Sequence, residues 1–150
     1  MHKRWITWVT TLSVAALLFA ALVIAHRRAP QQSGPLQHEV FVWQRTWNEP
    51  VRNAISQHGS NFVNLVALRA EVVWNGTKPQ IARVAVDYPT LTNAPCPVGL
   101  ALRIGPFSGP FSKDDPAIKF LCDVASSLVA QAQTNALRLS ELQIDFDCAE

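Results

Sequence analysis

Residues 98–104 read Val-Gly-Leu-Ala-Leu-Arg-Ile, so large aliphatic residues alternate with small ones and with Arg103. Because successive side chains of a β-strand point to opposite faces, this period of two predicts a strand with one wholly apolar face. The other face is small until it becomes charged at the carboxyl end. The same alternation occurs in residues 66–72, 84–87 and 139–147. We therefore predict a sheet that packs its apolar face under helices and collects polar side chains where its strands end.

The intervening sequence predicts the helices. Asn48 or Glu49 can cap a helix that ends near Gly59, and a longer helix is predicted from Asp115 to about Asn135. Five strands are predicted, over residues 38–45, 62–74, 81–87, 98–104 and 139–147. Strands separated by helices indicate parallel βαβ units and an α/β fold. A (β/α) barrel and a doubly wound sheet both place functional groups at the carboxyl ends of parallel strands, so the alternation alone does not separate them.

The N-terminal residues predict export. Residues 5–25 carry no charge, follow Lys3 and Arg4, and would reach roughly 30 Å as a helix, which is the thickness of a bilayer core. We expect residues 1–28 to be a signal peptide or a signal-anchor helix that contacts the membrane through residues 5–25. Residues 29–37 are rich in Pro and Gly and predict a linker, and the folded domain is predicted over residues 38–150. The expected location is membrane-anchored, periplasmic or extracellular.

Composition and charge exclude several classes of protein. The chain is 49% hydrophobic and 16% charged, which excludes a disordered segment, and 3 Cys in 150 residues exclude a disulfide scaffold. The formal net charge is +2, but four of the 13 Lys and Arg residues flank the N-terminal apolar segment, which leaves 9 against all 11 Asp and Glu residues. The chain outside the N-terminal segment is therefore mildly acidic and lacks the excess positive charge that binds phosphate groups, so we expect no nucleic-acid partner.

The last ten residues hold the strongest chemical signal. They contain four acidic residues and no basic one, and the period of two places Asp145 and Asp147 on one face, with Glu150 just beyond. Glycoside hydrolysis needs one carboxylic acid for the leaving oxygen and one carboxylate as base or nucleophile. We therefore predict Asp145, Asp147 and Glu150 as catalytic residues. The same Asp-x-Asp pattern can hold a divalent cation, as in sugar-nucleotide glycosyltransferases. Export argues against that alternative, and neither a metal nor a cofactor is predicted.

A rim of further side chains is predicted around these acids. Trp43, Glu71, Arg103 and Phe107 fall at or after strand ends, where they would bind substrate, with aromatic faces stacking on sugar rings. For Trp47 and Trp74, packing in the core is an equally good interpretation. The predicted partner is a polysaccharide or other glycan.

Three blocks of sequence carry a resemblance to a known family. They are His38-Glu-Val-Phe-Val-Trp-Gln-Arg-Thr-Trp47, Pro97-Val-Gly-Leu-Ala-Leu-Arg-Ile-Gly105 and Glu141-Leu-Gln-Ile-Asp-Phe-Asp-Cys-Ala-Glu150. Together they resemble the bacterial domain of unknown function 3142 family. The resemblance implies an exported or membrane-anchored protein with a glycosidase-like barrel and implies no particular reaction. The last block is also similar to the Asp-x-Asp-x-Glu signature of chitinase-like barrels, with the Glu one residue later in this chain.

Length then sets the expected architecture. A complete eight-stranded barrel needs roughly 200 to 250 residues, whereas residues 38–150 hold five predicted strands and end on the family motif. We expect the N-terminal part of a (β/α) TIM-like barrel, preceded by the membrane-spanning or signal helix. Three functional interpretations stay open: a glycoside-hydrolase-like protein of the cell envelope, a non-catalytic glycan-binding or scaffold protein, and an inactive truncated gene product.

Overall fold

A single sheet with helices on one face forms the fold in a computed structural model that describes residues 37–76, 78–109 and 112–147. The strands are β1 (Glu39–Val42), β2 (Asn64–Asn75), β3 (Lys78–Arg83), β4 (Val98–Ile104) and β5 (Leu139–Phe146). The helices are α1 (Glu49–His58), α2 (Tyr88–Thr92) and α3 (Pro116–Thr134), and a 3₁₀ turn (Gly59–Asn61) follows α1. The predicted α/β class is confirmed.

Strands β1, β2, β4 and β5 are parallel and lie in the sheet in the order in which they occur in the chain. Two hydrophobic clusters cover one face of this sheet. The first joins Ile55 of α1 and Leu91 of α2 to Leu65 and Leu100, and the second joins Leu128 of α3 to strand residues such as Leu102. All three helices contribute their buried residues to these clusters, so all three pack on the same face of the sheet. We call this face the helix-covered face. We call the other the open face.

Local sequence explains where the helices begin. The Asn48 side chain accepts a hydrogen bond from the backbone N–H of Val51, and Asp115 accepts one from Ala117 at the start of α3. Both helices have proline in their first turn, where its missing N–H costs nothing. The predicted helix starts are therefore confirmed, whereas the short helix α2, capped by Asp87, was not predicted.

The third predicted strand is present, but with different bounds. It was expected over residues 81–87, whereas β3 spans Lys78–Arg83 and, unlike the strands of the expected parallel βαβ units, pairs antiparallel with β2. Asn75 pairs with Lys78, so only two residues connect the strands, and such a short loop can join only antiparallel neighbours. Asp87 consequently lies beyond the sheet.

A β-bulge corrects the predicted faces of β2. The register with β4 shifts between Leu68 and Ala70, so Arg69 is an extra residue that interrupts the period of two. Leu68 therefore shares the open face with Glu71, although it is buried and also contacts the first hydrophobic cluster, while Ala70 and Val72 turn toward the helices. The sequence pattern had grouped Val66, Leu68 and Val72 on one apolar face.

Strand β5 is only partly covered. Leu142 packs against both hydrophobic clusters, but Ile144 and Phe146 are exposed, although all three were predicted to lie under helices. Within the described ranges, no helix is long and apolar enough to cross a membrane. The predicted membrane segment, residues 5–25, and the linker as far as residue 36 lie outside those ranges.

Candidate functional site

The strand register brings three charged residues into one row at the carboxyl edge of the sheet. Glu71 of β2 pairs with Arg103 of β4, which in turn pairs with Asp145 of β5. Residues in register on neighbouring strands point to the same face, and these three lie on the open face. Asp147 follows directly after β5, and its backbone N–H donates to the carbonyl oxygen of Ile104. The alternation in the sequence therefore produces a charged row on the uncovered side of the sheet.

Four of the charged side chains form a continuous ion-pair network. Arg45 donates from Nε and Nη2 to the two carboxylate oxygens of Glu71, at 2.9 and 2.8 Å. Arg103 lies 3.5 Å from Glu71 through Nη1 and 3.0 Å from Asp147 through Nη2. Glu71 is the least accessible member, with 12% of its side chain exposed. The network thus runs from the loop after β1, across β2 and β4, to the end of β5.

The network also fixes the charge of Arg103. The hydrogen bond and the negative charge of Asp147, reinforced by Glu71, raise the pKa of Arg103 above its already high ordinary value. Arg103 is therefore a permanent cation between two carboxylates. Asp145 differs from Asp147 because it has neither an ion pair nor a side-chain hydrogen bond with another described residue.

A cavity of about 400 Å³ opens beside this row. It is lined by Trp43, Arg45, Leu68, Glu71, Arg103 and Asp145. The Trp43 ring is 43% exposed and stacks on Phe41, with ring centroids 6.0 Å apart. A second cavity, of about 480 Å³, shares Arg45, Glu71 and Arg103 and extends to Asp147. We call the two cavities together the carboxyl-edge site.

A larger cleft of about 590 Å³ lies between β1 and α1. Its walls are mostly apolar, with Val42, Val51 and Ile55 among them. It contains no carboxylate or guanidinium group, and none of the predicted site residues lines it. We therefore place the candidate site at the charged row and not in the larger cleft.

The structure brings together five of the seven predicted site residues. Trp43, Glu71, Arg103, Asp145 and Asp147 all line the carboxyl-edge site. Phe107 does not join them, because it stacks on Trp74 at 4.5 Å, and Trp74 packs against the second hydrophobic cluster on the helix-covered face. Glu150 lies outside the described residues.

The other aromatic and cysteine residues have structural roles or surface positions. Trp47 is 8% exposed and belongs to the first hydrophobic cluster, which agrees with the interpretation as core packing. Cys96 is a partly buried free thiol, and burial raises its pKa. Cys122 is also a free thiol, but it is exposed. Cys148 lies outside the described residues.

Arg45 is the member of the site that the sequence did not predict. It follows β1 by three residues, in a loop whose direction the period of two does not determine. Its position after a strand end was the available signal, because the carboxyl ends of parallel strands meet at one edge. Its pairing with Glu71, 26 residues away, depends on the tertiary fold.

No group of three or more His, Cys, Asp or Glu side chains within the described part of the chain is arranged to hold a metal ion. The carboxylate and guanidinium groups of the carboxyl-edge site can form hydrogen bonds with hydroxyl groups, and the indole of Trp43 can stack on a ring. Comparison with known proteins adds no relative: no family model, no curated protein and no solved structure matches this chain.

Proposed function

We propose that this chain is a carbohydrate-active protein of the cell envelope that binds a glycan in the carboxyl-edge site. The observation that carries the proposal is the composition of the smaller cavity. The half-exposed Trp43 lines this cavity of about 400 Å³ together with two guanidinium and two carboxylate groups.

Sugars need this combination of groups. A pyranose ring presents an apolar C–H face, which an indole can cover, and a rim of hydroxyls that both donate and accept hydrogen bonds. Carboxylates accept two such bonds and guanidinium groups donate several in a fixed plane. Because Arg45 and Arg103 already hold Glu71 in place, the polar groups are ordered before a ligand arrives.

We also propose that the sheet is the N-terminal part of a (β/α) TIM-like barrel, as the family resemblance implies. Support comes from the sequential order of the parallel strands and from helices that pack on one face. A doubly wound sheet instead reverses its strand order and carries helices on both faces. Curvature supports the same proposal. Trp43, after β1, and Asp145, on β5, line one cavity although two strands separate β1 from β5.

The proposed location in the cell envelope rests on residues 1–28 of the sequence, where a basic start precedes the uncharged residues 5–25. An exported site that faces the envelope or the medium would meet polysaccharides, which agrees with the chemistry of the carboxyl-edge site. Membership in the resembled family is part of the same proposal.

Binding is tested by calorimetric titration of the full-length protein in detergent with a panel of envelope and plant-type glycans. Replacing Trp43 with Ala should weaken binding at least about tenfold, because it removes the stacking surface. The matched control is Trp74→Phe, which alters an indole on the helix-covered face and should leave affinity within about twofold. Equal affinity of the Trp43→Ala variant and the natural protein would contradict the proposal.

Hydrolysis is a second candidate function, and one observation favours it. Asp145 and Asp147 are two residues apart at the same site, but only Asp147 is held by Arg103. Hydrolysis needs a carboxylate that can reach the substrate, and the carboxylate of Asp145 lines the cavity without an ion pair to another described residue. Of the two, Asp145 is the carboxylate that we assign to the chemical step, as nucleophile or base.

The assignment predicts the activity of two variants. Release of reducing ends from any glycan that binds should fall at least about a hundredfold in Asp145→Asn and in the double variant Asp145→Asn/Asp147→Asn, because general acid–base groups typically contribute that factor. The control is Asp123→Asn, an exposed position on α3. Activity that survives the double substitution would exclude these carboxylates, and binding without any release would leave a glycan-binding protein.

A further inference from the structure

Charge at the carboxyl-edge site does not balance. Among the described residues that line its two cavities, the ionisable groups are Arg45, Arg103, Glu71, Asp145 and Asp147. Three carboxylates therefore face two guanidinium groups. The excess of one negative charge disfavours an acidic sugar and favours a ligand with a positive charge.

The distribution of the pairs locates the excess. Arg45 is committed to Glu71 through both of its hydrogen bonds, and Arg103 is committed to Asp147 at 3.0 Å. A uronic acid or sulfated sugar would therefore meet guanidinium groups whose charge a carboxylate already neutralises. Asp145 is the carboxylate that remains, and it lines the same cavity as the exposed ring of Trp43.

An ammonium group satisfies both of these residues at once. It donates charge-assisted hydrogen bonds to a carboxylate, and tryptophan is the side chain whose ring attracts a cation most strongly. From this geometry, and resting on the proposed glycan binding, we infer that the site takes an amino sugar with a free amino group, such as a deacetylated hexosamine unit of a polysaccharide. Asp145 is its specificity-determining residue and Trp43 its stacking partner.

The test compares three hexamers that share a β-1,4-linked glucose backbone and differ only at carbon 2. The glucosamine hexamer carries an ammonium group there, the N-acetylglucosamine hexamer a neutral amide, and cellohexaose a hydroxyl. Calorimetric titration of the full-length protein, at mildly acidic pH and low salt, should give at least about tenfold tighter binding of the glucosamine hexamer than of the other two. That factor corresponds to one charge-assisted hydrogen bond.

Variants connect this preference to Asp145. Asp145→Asn should abolish the preference, so that the three hexamers bind with affinities within about twofold of one another, and an unchanged circular dichroism spectrum shows that the variant is folded. Asp145→Glu keeps the charge and should keep a preference, while Asp123→Asn is the control for lost charge elsewhere. Added salt should reduce the preference of the natural protein and leave cellohexaose binding unchanged.

The negative outcomes distinguish the preference for an amino sugar from glycan binding itself. A glucosamine hexamer that binds no more tightly than cellohexaose, or a preference that survives Asp145→Asn, overturns the inference while glycan binding stands. Binding of other glycans with none of the three hexamers bound overturns it as well. If no glycan of the panel binds, both the inference and the proposed function are overturned.

Discussion

Asp145 and Asp147 show how neighbouring residues of one type acquire different properties. Both lie on the open face at the end of β5, and the sequence treats them as an equivalent pair. In the fold, Asp147 is 3.0 Å from Arg103, whereas Asp145 faces the cavity without an ion pair to a described residue. The difference depends on one guanidinium group, contributed by the neighbouring strand, and it is the basis for assigning binding or chemistry to Asp145.

Gly99 is a second residue whose role appears only in three dimensions. A Cβ at this position would lie 2.7 Å from Cγ and 3.3 Å from the carbonyl oxygen of Glu141. Glu141 has little freedom to move, because its carboxylate accepts a hydrogen bond of 2.5 Å from Asn64, and Asn64 in turn accepts one from Ser140. Gly99 therefore leaves room for a polar cluster near the start of β5, at the edge opposite the candidate site.

We predict that Gly99→Ala lowers the free energy of unfolding by about 1–3 kcal/mol, the usual cost of overpacking a filled interior. Urea denaturation monitored by circular dichroism measures this loss. The double variant Gly99→Ala/Glu141→Ala is the control. It should cost less than the sum of the two single substitutions, because the clash disappears with the Glu141 side chain. Additive losses would show that the contact does not limit this position.

At the scale of elements, β2 departs most from its sequence pattern. Arg69 at the bulge turns toward the helices and donates to the carbonyl oxygen of Val84, the Tyr88 hydroxyl and the Gln131 side chain, at 2.6, 3.2 and 2.8 Å. One extra residue therefore does two things. It links the strand to α2 and α3, and it shifts the strand so that Glu71 reaches the open face.

The hairpin between β2 and β3 depends on one backbone conformation. Gly76 has φ of +61°, in the left-handed region, and no atom lies within 4 Å of the position its Cβ would occupy. We predict that Gly76→Ala lowers the free energy of unfolding by about 1 kcal/mol through backbone strain alone. Thermal unfolding followed by circular dichroism measures the effect.

Asparagine supplies the matched control, because it tolerates the left-handed region better than other residues with a Cβ. Gly76→Asn should therefore retain more stability than Gly76→Ala. Equal losses for the two variants would indicate that the turn changes conformation and does not store strain.

For the whole molecule, the sequence predicted those features that depend on interactions between residues close together in the chain. Strand β4 was predicted with its observed bounds, and helix starts were predicted at Asn48 or Glu49 and at Asp115, because period and capping act over a few residues. The dipeptide Asn75-Gly76, which is typical of tight hairpin turns, is the local signal for the antiparallel direction of β3. The bulge at Arg69 leaves no mark on composition or period.

The candidate site likewise combines features that the sequence predicts with features that depend on tertiary contacts. The row of Glu71, Arg103 and Asp145 was predictable because strand ends in a parallel sheet meet at one edge. The ion pair of Arg45 and the stacking of Phe107 on Trp74 were not predictable, because both depend on where loops lie after the strands have paired. Sequence patterns thus indicated at which edge the charged side chains collect, and tertiary contacts determined which side chains reach it.

Hydrogen–deuterium exchange of the full-length protein with a bound glycan tests whether the glycan lies on the open face at the carboxyl edge of the sheet. We expect slower exchange in peptides that contain Trp43, Glu71, Arg103 and Asp145, four of the residues that line the smaller cavity. Peptides of α1 beside the apolar cleft should exchange at an unchanged rate. Protection confined to the cleft between β1 and α1, or no protection at the four strand ends, would exclude glycan binding at the carboxyl-edge site.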